Sequence, residues 1–481
     1  MSGKRTNKKS SAKTIDAAPP HPKLSSSAAG ALTDRQLGII AAIGLAFGIG
    51  ALYEFGPLNG MPSVTKWGWP WQDLGILPMS LAMLAPFVLI TIVVWTSGQV
   101  TNHFHFTLAF TALVIAHFCL QLFSVMADPR GLQRIAQIVA SADATAYFTD
   151  ATRIRNLPEW LSHFHELNLT GHAKFHPAGP VVYYYGFLKL FGPDAGAFLG
   201  GCAVGLLASL GCVAMYHFAG LWTSDRKTRL VASAFYTLIP GLTAFFPEFD
   251  QIYPILSMLI VLTFVKSLEE PASWYRYAAP CGALIFIATF SAYNLLTIGA
   301  FPALYSAFWL WTRRTERTTG IVVLRTSAAA LATTVSLYLL LWITTGYNAP
   351  AAFRHSVQGM QGGNEALGRP YWISIFTDMY DFALGAGIIA VPILFFHLRR
   401  PRQNRTGTAM TWIGLATILT VDLSGLLRGE TARTWLFLQP FLVVPVALEL
   451  GRLEWRRKTA LLLLQWWILV CIKTKMSFIE P

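Results

Sequence analysis

Runs of about twenty apolar residues recur along nearly the whole chain, separated by short polar turns. A helix rising 1.5 Å per residue needs roughly that length to cross a bilayer core of about 30 Å. In lipid each backbone amide must find its partner inside the protein, so such runs fold as packed helices. The runs predict spans near 37–56, 77–97, 107–127, 195–220, 229–246, 252–267, 277–293, 294–311, 319–344, 374–397, 409–427, 434–450 and 459–475. The expected fold is an all-α polytopic membrane protein with about 12–13 transmembrane helices. Only 13% of the residues are charged and 54% are hydrophobic, where a soluble domain carries roughly 25% charged. Residues 36–481 therefore read as one transmembrane domain.

The first 35 residues differ in kind. They are rich in Ser, Ala, Lys and Pro, carry Lys4, Arg5, Lys8, Lys9, Lys13, Lys23 and Arg35, and contain no apolar run. The expectation is a disordered basic tail held in the cytoplasm, against anionic membrane lipid. The formal net charge of +13 comes largely from short loops, which the positive-inside rule explains without nucleic acid. Cys119, Cys202, Cys212, Cys281 and Cys471 all lie in apolar runs, with no metal-ligand spacing.

Basic clusters at Asp225–Arg229, Arg313–Arg317, Arg399–Arg405 and Arg456–Lys458 are assigned to the cytoplasm with the N-terminus. Loops 128–177, 345–373 and 428–433 then fall on the opposite side. This scheme requires residues 178–191, too short to cross, to form a half-inserted or re-entrant helix. Lys473 and Lys475 end on the outer side, against the positive-inside trend.

Loop 128–177 starts Asp128-Pro129-Arg130, and Pro129 favours a helix end there. Leu132, Ile135, Ile138 and Val139 recur at helical spacing, so a juxtamembrane amphipathic helix is expected. Asp143 and Asp150 flank Tyr147, and Asp143 suits a helix N-cap. His163, His165, His172 and His176 follow, with Glu166 and Lys174 among them. Their spacing matches no common zinc pattern; near neutral pH they are suited to hydrogen-bonding a phosphate. Asn168-Leu169-Thr170 forms a glycosylation sequon on this outer loop.

The stretch His172-Ala173-Lys174-Phe175-His176-Pro177-Ala178-Gly179-Pro180-Val181-Val182-Tyr183 resembles the His-Pro-Pro-(Leu/Gly)-Pro segment of GT-C glycosyltransferases, which include protein O-mannosyltransferases and lipid A aminoarabinose transferases. Ala178 stands where many members have a second proline. Phe245-Phe246-Pro247-Glu248-Phe249-Asp250 looks like the family's second acidic position, and Arg428-Gly429-Glu430-Thr431-Ala432-Arg433-Thr434-Trp435 resembles a Gly-Glu-x-x-Arg-x-Trp pattern of some bacterial members. The resemblance implies 128–177 as an outer catalytic loop, and sugar transfer from a polyprenyl-phosphate donor to a lipid, glycan or protein acceptor.

Such transfer needs a carboxylate base near the acceptor hydroxyl and positive charge at the leaving phosphate. The resemblance makes Asp128 the first candidate for an inverting base, with Asp143 as its rival. Arg433 is the candidate for the phosphate, with His172, Lys174, His176 and Arg130 as alternatives. Asp250, Glu430 and Tyr183 complete the candidate site, and Trp160, Trp435 and Tyr183 offer faces for sugar stacking. No nucleotide or cofactor motif stands out, no metal-ligand set is assigned, and a divalent metal is compatible with the carboxylates. A transporter or flippase is the alternative reading; it usually carries internal repeats, and none is visible here.

Overall fold

The computed structural model describes residues 31–61, 67–100, 103–316, 318–366, 368–400, 405–477 and 479. The expected disordered tail falls outside these residues except at its last few positions. There, Thr33 and Gln36 form a capping box that starts helix α1, Asp34–Leu52. The chain continues through α2 (Ile76–Thr96), α3 (His103–Met126), α4 (Gln133–Ala140), α5 (Gly179–Ala219), α6 (Arg226–Tyr236), α7 (Tyr253–Glu269), α8 (Tyr275–Ser291), α9 (Ala300–Thr312) and α10 (Thr319–Thr345). Then come α11 (Ala349–Ala366), α12 (Tyr371–Ala386), α13 (Ala390–Leu398), α14 (Arg405–Ser424), α15 (Gln439–Gly451) and α16 (Trp455–Lys475). Sheet among the described residues is confined to an antiparallel pair of two-residue strands, Gly60–Met61 and Trp67–Gly68.

The protein is an all-α, polytopic membrane protein. Among the described residues seven helices are long and apolar enough to cross a bilayer, or eight if α12 and α13, bent by 102°, count as one span. Of the remaining expected spans, α8, α14 and α16 are single helices of 17, 20 and 21 residues, and two are interrupted. Pro240 restarts the chain after α6, and Leu436–Gly451 changes from 3-10 to α-helix at Gln439. The spans near Asn294 are separate: α8 stops at Ser291, and extended Ala292 precedes a new helical start at Tyr293.

Segment 178–191 behaves as a unit. Helix α5 is broken at Gly192, whose φ of 78° suits glycine and few other residues, and Pro193 restarts it. Helix α4 has the expected amphipathic character: Ile135, Ile138 and Val139 are buried while Leu132 is exposed. It packs on α5.

Helices α6 and α15 form the best-buried part of the bundle, whereas α10 is almost wholly exposed along its length. The loops sort into two groups by contact. In one group Arg457 pairs with Asp34 at 2.8 Å, and buried Glu449 is held by His397, Arg400 and Arg452 at 2.9, 2.9 and 2.8 Å. In the other, segments 128–177, 245–252, 368–371 and 426–434 meet one another, and Lys475 reaches Asp73 at 2.6 Å and Glu54 at 3.3 Å. Lys473, the other lysine at odds with the charge rule, donates to the Ala244 carbonyl at 3.2 Å.

Candidate functional site

The site is organised by one tight turn. Gly429 (φ 75°) and Glu430 (φ 55°) both adopt left-handed backbone, a conformation that costs a non-glycine residue about 1–2 kcal/mol. Two carboxylates of α12 hold the chain there. Asp378 Oδ1 accepts the Gly429 N–H at 2.8 Å, and Asp381 Oδ2 accepts the Ala432 N–H at 2.8 Å. Thr431 Oγ1 donates to the Asp378 carbonyl at 2.5 Å, and Trp69 Nε1 donates to Asp381 Oδ1 at 2.7 Å. Asp378 and Asp381 are both buried, one helical turn apart on one face.

This turn aims Arg433 at three carboxylates. Its guanidinium donates to Glu248, reaches Glu430 at 2.6 Å and lies 3.4 Å from Asp250. Arg369 reaches the other oxygen of Glu430 at 3.1 Å and donates to the Arg428 carbonyl at 2.7 Å, while the Arg428 guanidinium donates to the Arg369 carbonyl at 3.1 Å. Burial alone raises the Glu430 carboxyl, but Arg433, His172 and Arg369 outweigh it and hold the group below the ordinary range. Glu430 is accordingly a carboxylate at neutral pH.

A cavity of about 180 Å³ opens beside this cluster. Arg369, Arg428, Arg433, Glu430, His172 and His176 give it a charged side; Phe175, Met360, Leu426 and Leu427 give it an apolar one. Burial and the nearby Arg433 push His172 down, and burial pushes His176 down to about 4, so both imidazoles are neutral at pH 7. Tyr147 packs edge-on against His176 at 5.5 Å. Arg369 Nε and Asn294 Oδ1 are buried polar atoms without a hydrogen-bond partner among the described residues. A donor and an acceptor on the cavity wall therefore retain unused hydrogen-bonding capacity.

Of the residues singled out from the sequence, Asp250, Glu430, Arg433, His172 and His176 come together here. Tyr183 stands at the periphery: it packs on Phe249 at 5.2 Å, and its hydroxyl donates to the Gly200 carbonyl. Lys174 is exposed, its amine 4.6 Å from the Phe175 ring centre. Asp143 is exposed on a turn, where Ser141 Oγ accepts the Asp143 and Ala144 N–H groups. It caps no helix; the short helix Tyr147–Ala151 starts at Ala146 without a side-chain cap.

Asp128 lies in a different recess, of about 30 Å³, with Arg134 and Lys473, and the exposed Arg130 pairs with it from outside the lining. Arg130 grips Asp128 through two bonds of 2.9 and 3.0 Å, and Arg134 stands 3.7 Å away. Against the upward push of burial, the Arg130 bonds hold the Asp128 carboxyl below its usual value. Among the described residues Asp128 makes no bond to the Arg433 cluster. The segment 244–248 lies between the two: Ala244 borders the recess, and Glu248 holds Arg433.

No family model matches the chain, and no curated protein matches it. Two solved structures share part of its course. One is an oligosaccharyltransferase of Archaeoglobus fulgidus complexed with Zn and sulfate, with 13% identity, TM-score 0.44, covering 73% of this chain and 53% of that one. The other is the archaeal oligosaccharyltransferase AglB of Archaeoglobus fulgidus with an inhibitory peptide and a dolichol-phosphate, with 11% identity, TM-score 0.47, covering 77% and 56%. The chain spans little more than half the length of either. Likeness of this degree assigns no activity here.

Sequence reasoning missed Arg369, Asp378, Asp381 and the role of Glu248. A signal existed for Asp378 and Asp381: two acids inside an expected span are costly unless they have work to do. Glu248 stood within a motif already noted. Arg369 carried no signal, being one arginine in a polar loop.

Proposed function

We propose that this protein is a membrane glycosyltransferase of GT-C type, moving a sugar from a polyprenyl-phosphate donor to an acceptor hydroxyl at the non-cytoplasmic face. The observation that supports it is the meeting of residues from four distant loops, His172 and His176, Glu248 and Asp250, Arg369, and Glu430 and Arg433, beside one cavity with an apolar wall. A lipid phosphate has the same two parts. Its anionic head suits the Arg369 and Arg433 forks, which fit phosphate in bidentate fashion. Its hydrocarbon suits the Leu426, Leu427 and Met360 side.

In the proposed reaction the acceptor oxygen attacks the anomeric carbon. The bond from that carbon to the phosphate oxygen breaks, and the phosphate leaves with the electron pair. A carboxylate takes the hydroxyl proton, and a single displacement inverts the centre. We assign the base to Glu430, the one carboxylate bordering the cavity among the described residues. Its bonds to Arg433 and Arg369 make it a weak base in the free protein. A bound phosphate competes for both guanidiniums and raises its basicity. Asp128 and Asp143, the candidates named by the resemblance, lack this position: one is gripped by Arg130, the other sits on an exposed turn.

Purified protein in detergent, given a polyprenyl-phosphate sugar and an acceptor extract, should release polyprenyl phosphate, and Arg433→Ala should not. Passage of intact donor across proteoliposomes, without release, would instead establish the transporter reading.

A further inference from the structure

Beyond the 102° bend between α12 and α13, a lateral groove lies between α13 and α1, and none of its lining residues borders the cavity of the candidate site. It encloses about 790 Å³ and has a polarity gradient along its length. On α1, Arg35, Ile39 and Ile43 follow at intervals of one helical turn; the facing side is lined by Phe395 of α13, by Arg399 just past its end, stacked 4.1 Å over the Phe395 ring centre, and by Ile388 just before its start. Both stripes thus begin with an arginine near one polar end of the bundle and continue apolar. From Arg35 to Ile43 the stripe on α1 runs roughly 12 Å, of which Ile39 to Ile43 is roughly 6 Å, at 1.5 Å per residue.

The two arginines form no ion pair among the described residues. Asp34, the carboxylate next to Arg35, is taken by Arg457 at 2.8 Å, and Glu449 is taken by His397, Arg400 and Arg452. The other polar lining residues, Thr33 and Gln36, satisfy each other in the cap of α1. We infer that this groove is a binding site for an anionic phospholipid, its headgroup phosphate between Arg35 and Arg399 and one acyl chain along Ile39, Ile43, Phe395 and Ile388. Basic pockets between membrane helices bind anionic headgroups on charge grounds. The acyl chain gains from apolar burial that a free anion lacks.

The test is native mass spectrometry of the full chain after delipidation in an uncharged detergent, then titration with phosphatidylglycerol or phosphatidylcholine of matched chains. Wild-type protein should retain phosphatidylglycerol with at least a tenfold preference. The double variant Arg35→Gln, Arg399→Gln should lose that preference while still taking up either lipid weakly. Ile43→Trp, which fills the apolar end and leaves both charges, should reduce retention of both lipids. Equal retention of the two lipids by wild type overturns the assignment, as does displacement of phosphatidylglycerol by millimolar inorganic phosphate. An unchanged preference in the double variant, with its elution profile and helicity intact, overturns it as well.

Discussion

The protein carries two charged recesses side by side, and they differ in what their charges are used for. In the small recess Asp128 is consumed by Arg130 and Arg134, and Lys473 by the Ala244 carbonyl. In the larger cavity three carboxylates share Arg433, Arg369 spans to Glu430, and a buried donor and a buried acceptor remain without partners among the described residues. A buried ionic group closed on itself holds neighbouring segments together and is poorly placed to act on a substrate. One that leaves polar atoms unpaired at a cavity wall is expensive without a ligand, which is the condition expected of a binding site.

The sharpest break between the two recesses is Glu430→Gln. The amide keeps one acceptor oxygen where the carboxylate used two, one for Arg433 and one for Arg369, and it no longer takes a proton. Release of polyprenyl phosphate should fall by about 10²–10⁴-fold, the usual contribution of a general base, with donor binding largely retained. Retained turnover in this variant would move the base elsewhere, and the Asp128 recess would be the next place to look. Asp381→Asn should come second. Asp381 accepts from both Trp69 and Ala432, and an amide has one acceptor oxygen, so one buried donor loses its partner at about 1–3 kcal/mol. Amide hydrogen exchange at Ala432 should quicken and turnover should drop roughly tenfold by misplacing Arg433. Unchanged exchange at Ala432 would mean that the turn holds itself.

Asp128→Asn separates the recesses in the opposite sense. The amide keeps one acceptor oxygen where Arg130 used two, so one charge-assisted bond is lost, and stability should fall by about 1–3 kcal/mol. Transfer should stay within a few-fold of wild type. Loss of turnover in a well-folded Asp128→Asn protein would reverse the roles assigned to the two recesses.

The bundle was legible in the sequence because a bilayer imposes a length and a composition on every span. The shortness of 178–191 set that run apart, and the structure breaks the helix right after it, at Gly192-Pro193, a signal not read from the sequence. Half of the cavity was legible too: Asp250, Glu430, Arg433, His172 and His176 are polar residues at the ends of apolar runs. What joins them was not. The distance from Arg433 to Glu248 spans 185 residues of chain, and no periodicity carries that information. Asp128 drew notice through its place after a helix end, yet its partner two residues on, Arg130, uses up the charge. Asp378 and Asp381 lie within an apolar run, where span-finding treats a polar residue as noise.

The smallest expected effect uses pH to tell the recesses apart. His176 is depressed to about 4 by burial, against about 6.5 in an unfolded chain. The native state therefore binds fewer protons between those values. Its stability is fully present above pH 6.5 and declines as pH falls towards 4, by up to about 2 kcal/mol at pH 5. Asp128 is held below its usual 3.8, so its contribution is still intact at pH 5 and is lost only at lower pH. Melting curves of wild type and His176→Phe at pH 7 and pH 5 read the difference directly. The variant keeps an aromatic ring beside Tyr147 and should lose part of the acid sensitivity, with the neutral His172 supplying the remainder. Equal sensitivity in both proteins would show that His176 is already solvated and titrates freely, and that the cavity wall it forms is open to water.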